Sequence, residues 1–217
     1  LWTDVENDLA KLLTTRAFPS LAAEPAYQEL FRRAGFPGKL PTDLALLPPQ
    51  KRADLEQAAR MTAQLLRLEL EKANSLRERR AKVEVIEGPI TLYRAWSNRH
   101  GNRVRSWWFS PHLLEAALGD AGHDRAKTLA WLRDRLAVSF DFGDCDRLAQ
   151  LQLGPNSAVP CVAAWGLPMP GFTPNALKQD PTIPLPEYFA KRAITLQGQK
   201  TQYFLPYVPA SRVSDYW

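Results

Sequence analysis

Three short stretches carry side chains that could do chemistry: TLYRAW at 91–96, RSWWFSP at 105–111 and TQYF at 201–204. In the first, Arg94 stands inside an apolar run that reads as a strand. Alternation puts it on one face with Leu92 and Trp96, so its guanidinium points into a mainly apolar surface. A cation there needs an anionic partner. Two partners suit its planar, two-pronged donor: a carboxylate from elsewhere in the chain, or a bound phosphate. In the second stretch, Trp107 and Trp108 point to opposite faces, so one packs inside while the other lines a cleft or an interface. Ser106 and Ser110 flank the pair, and Pro111 suits the first position of a helix. In the third, the amide of Gln202 stands just inside the last strand, either solvated or held by its neighbours.

Other chemistries lack their residues. His100, His112 and His123 fall in a turn, at a helix start and in a loop, with no HExxH pair, which argues against zinc hydrolysis. No glycine-rich phosphate loop follows a strand, and no GxSxG elbow occurs. Asp141, Asp144 and Asp146 in DFGDCD lack the spacing of a calcium loop and read as a surface turn. Cys145 and Cys161 have no metal-ligand spacing and read as free thiols. No metal is expected.

The 217 residues can bury one good core, or one core and an appendage. With 45% apolar and 24% charged residues the chain is globular, not disordered. No apolar run is long enough for a membrane span, so a soluble protein is expected. The net charge of +5 is spread along the chain, apart from RERR at 77–80, and does not mark a nucleic-acid surface. The chain begins at Leu1, so its natural start is expected to lie upstream.

The elements that must position these residues divide near residue 83. Before it the texture is helical. TDVENDLAKLL (3–13) places Val5, Leu9, Leu12 and Leu13 on one face, and residues 23–36 repeat the pattern before closing at Gly35 and Pro37. From Pro49 to about Arg80 a long amphipathic helix is expected, with Leu55, Ala58, Ala59, Leu65, Leu66, Leu70 and Leu76 on its stripe. After it, strands are expected at 83–88, 90–96, 104–110, 136–142, 148–154, 158–166, 190–196 and 201–208, with helices at 111–118 and 124–136. Residues 167–189 are too rich in proline for a core strand and read as a long functional loop. The fold class is α+β with mostly antiparallel strands.

An arginine strand (LYRAW), a serine-aromatic strand leading into a helix (RSWWFSP) and a late strand with a polar start (TQYF), in this order, resemble the ADP-ribosyltransferase superfamily. In particular they are similar to its bacterial toxin branch with an arginine, serine, glutamate pattern, over about residues 85–217. The resemblance implies split antiparallel sheets in an ADP-ribosyltransferase-like NAD-binding domain at 83–217, with the N-terminal helical region at 1–82 lying outside it. It implies NAD as substrate: Arg94 grips its pyrophosphate or phosphoribose, Ser106 hydrogen-bonds within the cleft with Ser110 as the alternative, and one of Trp107, Trp108 and Phe109 stacks on nicotinamide. Tyr93 and Tyr203 would border the site.

The third position departs from the pattern. Gln202 stands where transferases carry glutamate, and no glutamate follows Glu187. Nicotinamide leaves as a neutral molecule, so bond cleavage needs a held sugar and a stabilised cation, not a general acid. A glutamine can hydrogen-bond ribose hydroxyls but cannot take a proton from a protein nucleophile. Some secreted NAD glycohydrolase toxins of the superfamily likewise carry glutamine in a TQY setting. Hydrolysis of NAD is therefore the favoured activity. The alternatives are mono-ADP-ribosyl transfer to protein or nucleic acid, and an interaction module without activity. The resemblance further implies a secreted effector acting in the target-cell cytoplasm, an immunity protein that plugs the cleft, and helices at 1–82 that serve as linker, delivery or chaperone-binding region.

Overall fold

The computed structural model of the protein describes residues 2–15, 25–36, 38–41, 43–72, 81–98, 103–155, 157–205, 208 and 210–217. The expected helix residue Leu76, the RERR run and His100 lie outside them.

Helix α1 (Trp2–Leu13) buries Val5, Leu9 and Leu13, spaced four apart along one side. Helix α2 (Pro25–Arg33) ends where Gly35, at φ +93°, lets the Phe36 N–H reach the Phe31 carbonyl at 2.9 Å. Helix α3 (Pro49–Lys72) buries Leu55, Ala58, Ala59, Ala63, Leu66 and Leu70. Leu65, expected on the same stripe, is 52% exposed. At 100° per residue it lies about 80° away from Leu55 around the helix, whereas Leu66 lies about 20° away. Arg67 ties α3 to α1 through Glu6 at 2.6 Å.

Among the described residues nine strands follow: β1 (Lys82–Glu87), β2 (Ile90–Trp96), β3 (Trp107–Trp108), β4 (Arg147–Leu153), β5 (Ala158–Trp165), β6 (Met169–Pro170), β7 (Thr195–Leu196), β8 (Thr201–Phe204) and β9 (Val213–Asp215). Among the described residues they form one sheet in the order β1-β5-β8-β3, a second in the order β2-β4-β9, and a small β6-β7 ladder, all antiparallel. Helices α4 (Pro111–Asp120) and α5 (Arg125–Leu136) separate β3 from β4, and α6 (Ala176–Gln179) and α7 (Leu185–Arg192) separate β6 from β7. Among the chain's several passages between the two sheets are those after β1 and after β4. The two passages touch, because a Cβ on Gly88 would lie 2.0 Å from the Gly154 carbonyl oxygen.

Alternation along the strands builds three apolar layers. Leu92, Trp96, Ala149, Leu151 and Leu153 of the second sheet meet Ile86, Trp108 and Cys161 of the first. On the far side of the second sheet, Tyr93, Ala95 and Leu148 pack with Leu113, Leu114, Leu129 and Leu132 of α4 and α5. On the far side of the first, Val83, Trp107, Val162, Ala164 and Phe204 share one core with Leu9, Leu13, Phe31, Leu66 and Leu70. The N-terminal helices thus bury the outer face of β3 and β8, and α4 and α5 that of β2. Phe204→Ala is expected to cost about 3–5 kcal/mol. Urea denaturation followed by circular dichroism and by tryptophan fluorescence should give a single transition at lower urea.

Several expected strands take other forms. The segment 136–142 finishes α5 at Leu136, turns at Ala137 (φ 51°) and makes a Ser139-capped 3-10 turn at Phe140–Phe142. Residues 190–192 end α7, begun at a proline-rich start that fits a first helical turn, and only Thr195–Leu196 are extended. In 104–110 only Trp107–Trp108 and a bridge at Phe109 are paired, and among the described residues of 201–208 only Thr201–Phe204 are. The expected loop 167–189 holds β6, α6 and α7 around buried Phe172, Ala176 and Tyr188. Strand β9 was not expected at all.

Candidate active site

Among the described residues one bridge joins the backbones of the two sheets. Tyr93 and Phe109 exchange backbone bonds, Tyr93 N–H to Phe109 oxygen at 2.9 Å and Phe109 N–H to Tyr93 oxygen at 2.8 Å. The next antiparallel pair would be Ala95 with Trp107, and it does not form. Instead Arg94 Nη1 donates to the Trp107 carbonyl oxygen at 2.8 Å. On the other edge of the same strand the Leu205 N–H donates to the Ser106 carbonyl at 2.7 Å. The guanidinium therefore sits in the fork where β2 and β3 part into different sheets. Burial pushes its pKa down to about 10, Arg105 adds to the shift, and Cys145 opposes it. At neutral pH it is a desolvated cation.

Position 94 shares its face with Leu92 and Trp96, as alternation requires. The Trp96 indole N–H, on a side chain only 8% exposed, has no hydrogen-bond partner among the described residues. Such a buried donor two residues from a half-buried guanidinium leaves hydrogen-bonding capacity for a ligand or a water.

Gln202 lies on β8, the strand that pairs with the other edge of β3. Trp107 pairs with Phe204, and Gln202 lies two residues along β8 on the same face as Phe204, about 7 Å away. By strict alternation Arg94 and Gln202 belong to opposite faces, and the guanidinium bonds the β3 edge turned away from β8, so β3 runs between the two. Gln202 Nε2 donates to the Leu136 carbonyl at 2.6 Å. Among the described residues nothing bonds its Oε1, which leaves that oxygen as an acceptor.

The remaining expected residues fall into different surroundings. Ser106 is partly buried just before β3, and no described residue bonds its hydroxyl. Ser110 caps α4, its Oγ accepting from the Leu113 N–H at 3.3 Å. Trp107 is partly buried, edge-on to Phe204 with centroids 5.1 Å apart. Trp108 and Phe109, 1% and 2% exposed, are core, and Trp108 Nε1 donates to the Arg105 carbonyl at 2.7 Å. Tyr93 packs edge-on to Tyr216, and Tyr203 faces Trp108 between the sheets. Burial raises both phenol pKa values. Ser110→Ala should cost about 1 kcal/mol of stability through the lost cap. Ser106→Ala should leave stability unchanged, so melting of the two variants separates the two serines.

One cation near the fork was not foreseen. Arg133 of α5 is 5% exposed, donates to the Val138 and Gly143 carbonyls at 3.2 and 2.5 Å, and lies 4.0 Å from the Phe140 ring centroid. Burial lowers its pKa, and it acts with Arg94 against the burial that raises the pKa of Cys145. Its position was legible: Leu129, Leu132, Arg133 and Leu136 share one helical stripe. Asp141 also differs from the surface turn expected of it. It is partly buried and accepts bonds from the Ser139 hydroxyl at 2.6 Å, the Thr173 N–H at 3.0 Å and the Thr173 hydroxyl.

Both cysteines are buried free thiols. His112 and His123 are exposed, and no group of three potential metal ligands occurs among the described residues. No helix among them is long and apolar enough to cross a membrane. A groove of about 860 Å³ opens at the start of β2, lined by Ile90, Gln152, Leu153, Ser211, Arg212 and Val213, and none of the residues at the fork lines it. No family model, no curated protein and no solved structure matches the chain. The chain is a mixed α+β protein of helices and antiparallel sheets.

Proposed function

We propose that the chain is an NAD-consuming domain of ADP-ribosyltransferase-like fold that hydrolyses the nicotinamide-ribose bond, as a toxin or effector acting on the NAD of a target cell. The observation that carries this reading is the desolvated Arg94 guanidinium in the fork, one strand away from a glutamine anchored by its amide nitrogen. A half-buried cation with an orphan indole donor nearby suits a pyrophosphate, whose oxygens take several charge-assisted bonds. The split antiparallel sheets, with the arginine strand in one and the glutamine strand in the other, support the same reading.

The chemistry follows from the groups present. Arg94 holds the pyrophosphate and so fixes the ribose. Gln202 Oε1 accepts from a ribose hydroxyl and stabilises positive charge as the C1′–N bond lengthens. Nicotinamide departs neutral with the bonding electrons, water oxygen bonds C1′, and the proton passes to solvent. The site offers no carboxylate at position 202 to deprotonate a protein nucleophile, which favours water as acceptor.

Incubation of the protein with NAD labelled in the adenylate part, with and without cell lysate, tests the proposal. Free labelled ADP-ribose without lysate is the expected result. Label on macromolecules only when lysate is present would indicate transfer, and intact NAD in both tubes would remove the enzymatic reading.

A further inference from the structure

We propose that the C-terminus of α5 is the positioning element for residue 202, and that it admits an amide there and rejects a carboxylate. Leu136 is the last residue of α5, so its carbonyl is among those left without a partner inside the helix. Gln202 supplies the missing donor from a strand 66 residues away. A carbonyl oxygen can only accept, so the bond fixes which end of the amide faces the helix and which end is left for a ligand.

The approach to Gln202 is held by the same helix end. Asp134 Oδ1 accepts from the Gln197 N–H at 3.0 Å, the Asp134 carbonyl accepts from the Gly198 N–H at 2.8 Å, and the Gly166 carbonyl accepts from the Gln199 N–H at 3.1 Å. Three successive N–H groups ahead of β8 are thereby tied down. The packing is close: a Cβ on Gly198 would lie 2.7 Å from the Gly166 oxygen, and one on Gly166 would lie 3.2 Å from the Leu136 oxygen and 3.5 Å from Gln202 Nε2. A glutamate at 202 would set one carboxylate oxygen against the Leu136 oxygen, acceptor against acceptor. Only its protonated form could restore the bond, so its pKa in the fold would be raised. Stability from a raised acid is present below its unfolded pKa and is lost as pH rises through the folded value.

The pinning stands on the geometry alone, and its meaning for turnover rests on the NAD reading above. Thermal melting of wild type, Gln202→Glu and Gln202→Ala between about pH 5 and pH 8 decides it. Gln202→Glu is expected to melt at least about 3 °C below wild type at the upper pH. The gap should close on acidification, whereas the Gln202→Ala gap should not depend on pH. If Gln202→Glu is unfolded at the upper pH, refolding at the lower one is the same result. A Gln202→Glu protein that melts with wild type throughout, or equally far below it at both ends, overturns the proposal.

Asp134 serves as a positioning residue. Asp134→Ala should lower kcat about tenfold at unchanged KM, while Asp134→Asn, which keeps the acceptor, should retain it. Equal kcat in all three proteins contradicts that role. If wild type leaves NAD intact, the NAD reading falls and the melting comparison still decides the pinning.

Discussion

Arg94→Met is expected to abolish NAD binding while leaving the fold intact. The guanidinium is the desolvated cation of the fork, and two charge-assisted bonds to a pyrophosphate contribute about 1.5–3 kcal/mol each. Their loss corresponds to a weakening of at least about 100-fold. Stability should move the other way or not at all. Burying the charge costs free energy, and replacing buried ionic groups with apolar ones of similar volume is often neutral or stabilising by about 1–4 kcal/mol. Titration with NAD together with thermal melting separates the roles. A structural arginine would show a lower melting temperature and unchanged binding, the reverse of this pattern.

The pH dependence has a definite sign. Burial holds the Arg94 pKa down to about 10, below its ordinary value. A cation with a depressed pKa costs stability while charged, and that cost is relieved as pH rises through the folded value. NAD affinity should therefore be level across neutral pH and decline only above about 10, where the charge begins to leave.

Gln202→Ala is expected to lower kcat by about 100–1,000-fold while KM stays within a few-fold, as when a group that stabilises transition-state charge is removed. The difference from Arg94 reflects where each group acts. In the proposed mechanism the arginine holds phosphate charge that is unchanged between ground and transition states, and the amide oxygen meets charge that grows on the ribose. Loss of the Leu136 contact also lowers stability by about 0.5–1.5 kcal/mol, so kinetics should be measured well below the melting temperature. A KM effect without a kcat effect would place Gln202 in binding alone.

How much of this was legible varied with the physics. Strand β2 matched at both ends, because Leu92 and Trp96 on one face and Tyr93 and Ala95 on the other give an unambiguous alternation. The face assigned to Arg94 followed from the same alternation. The fork did not, since a single bridge between Tyr93 and Phe109 leaves no periodic signature. The 136–142 segment misled because Val138, Phe140 and Phe142 alternate as in a strand, while Ser139 caps a 3-10 turn whose Phe140 lies beneath Arg133 and Lys191. Trp107 and Trp108 do face opposite ways, yet neither side is empty, because the N-terminal helices cover one and the second sheet the other. The pinning of Gln202 by Leu136 spans 66 residues and has no local trace in the sequence.

The measurement that bears most directly on the central claim is product release from NAD by the purified chain with no acceptor present. Chromatographic time courses should show nicotinamide and ADP-ribose rising in equal amounts with wild type, at a rate cut by Gln202→Ala and abolished by Arg94→Met. NAD that stays intact with folded wild-type protein, or products that form equally fast with Arg94→Met, would contradict it.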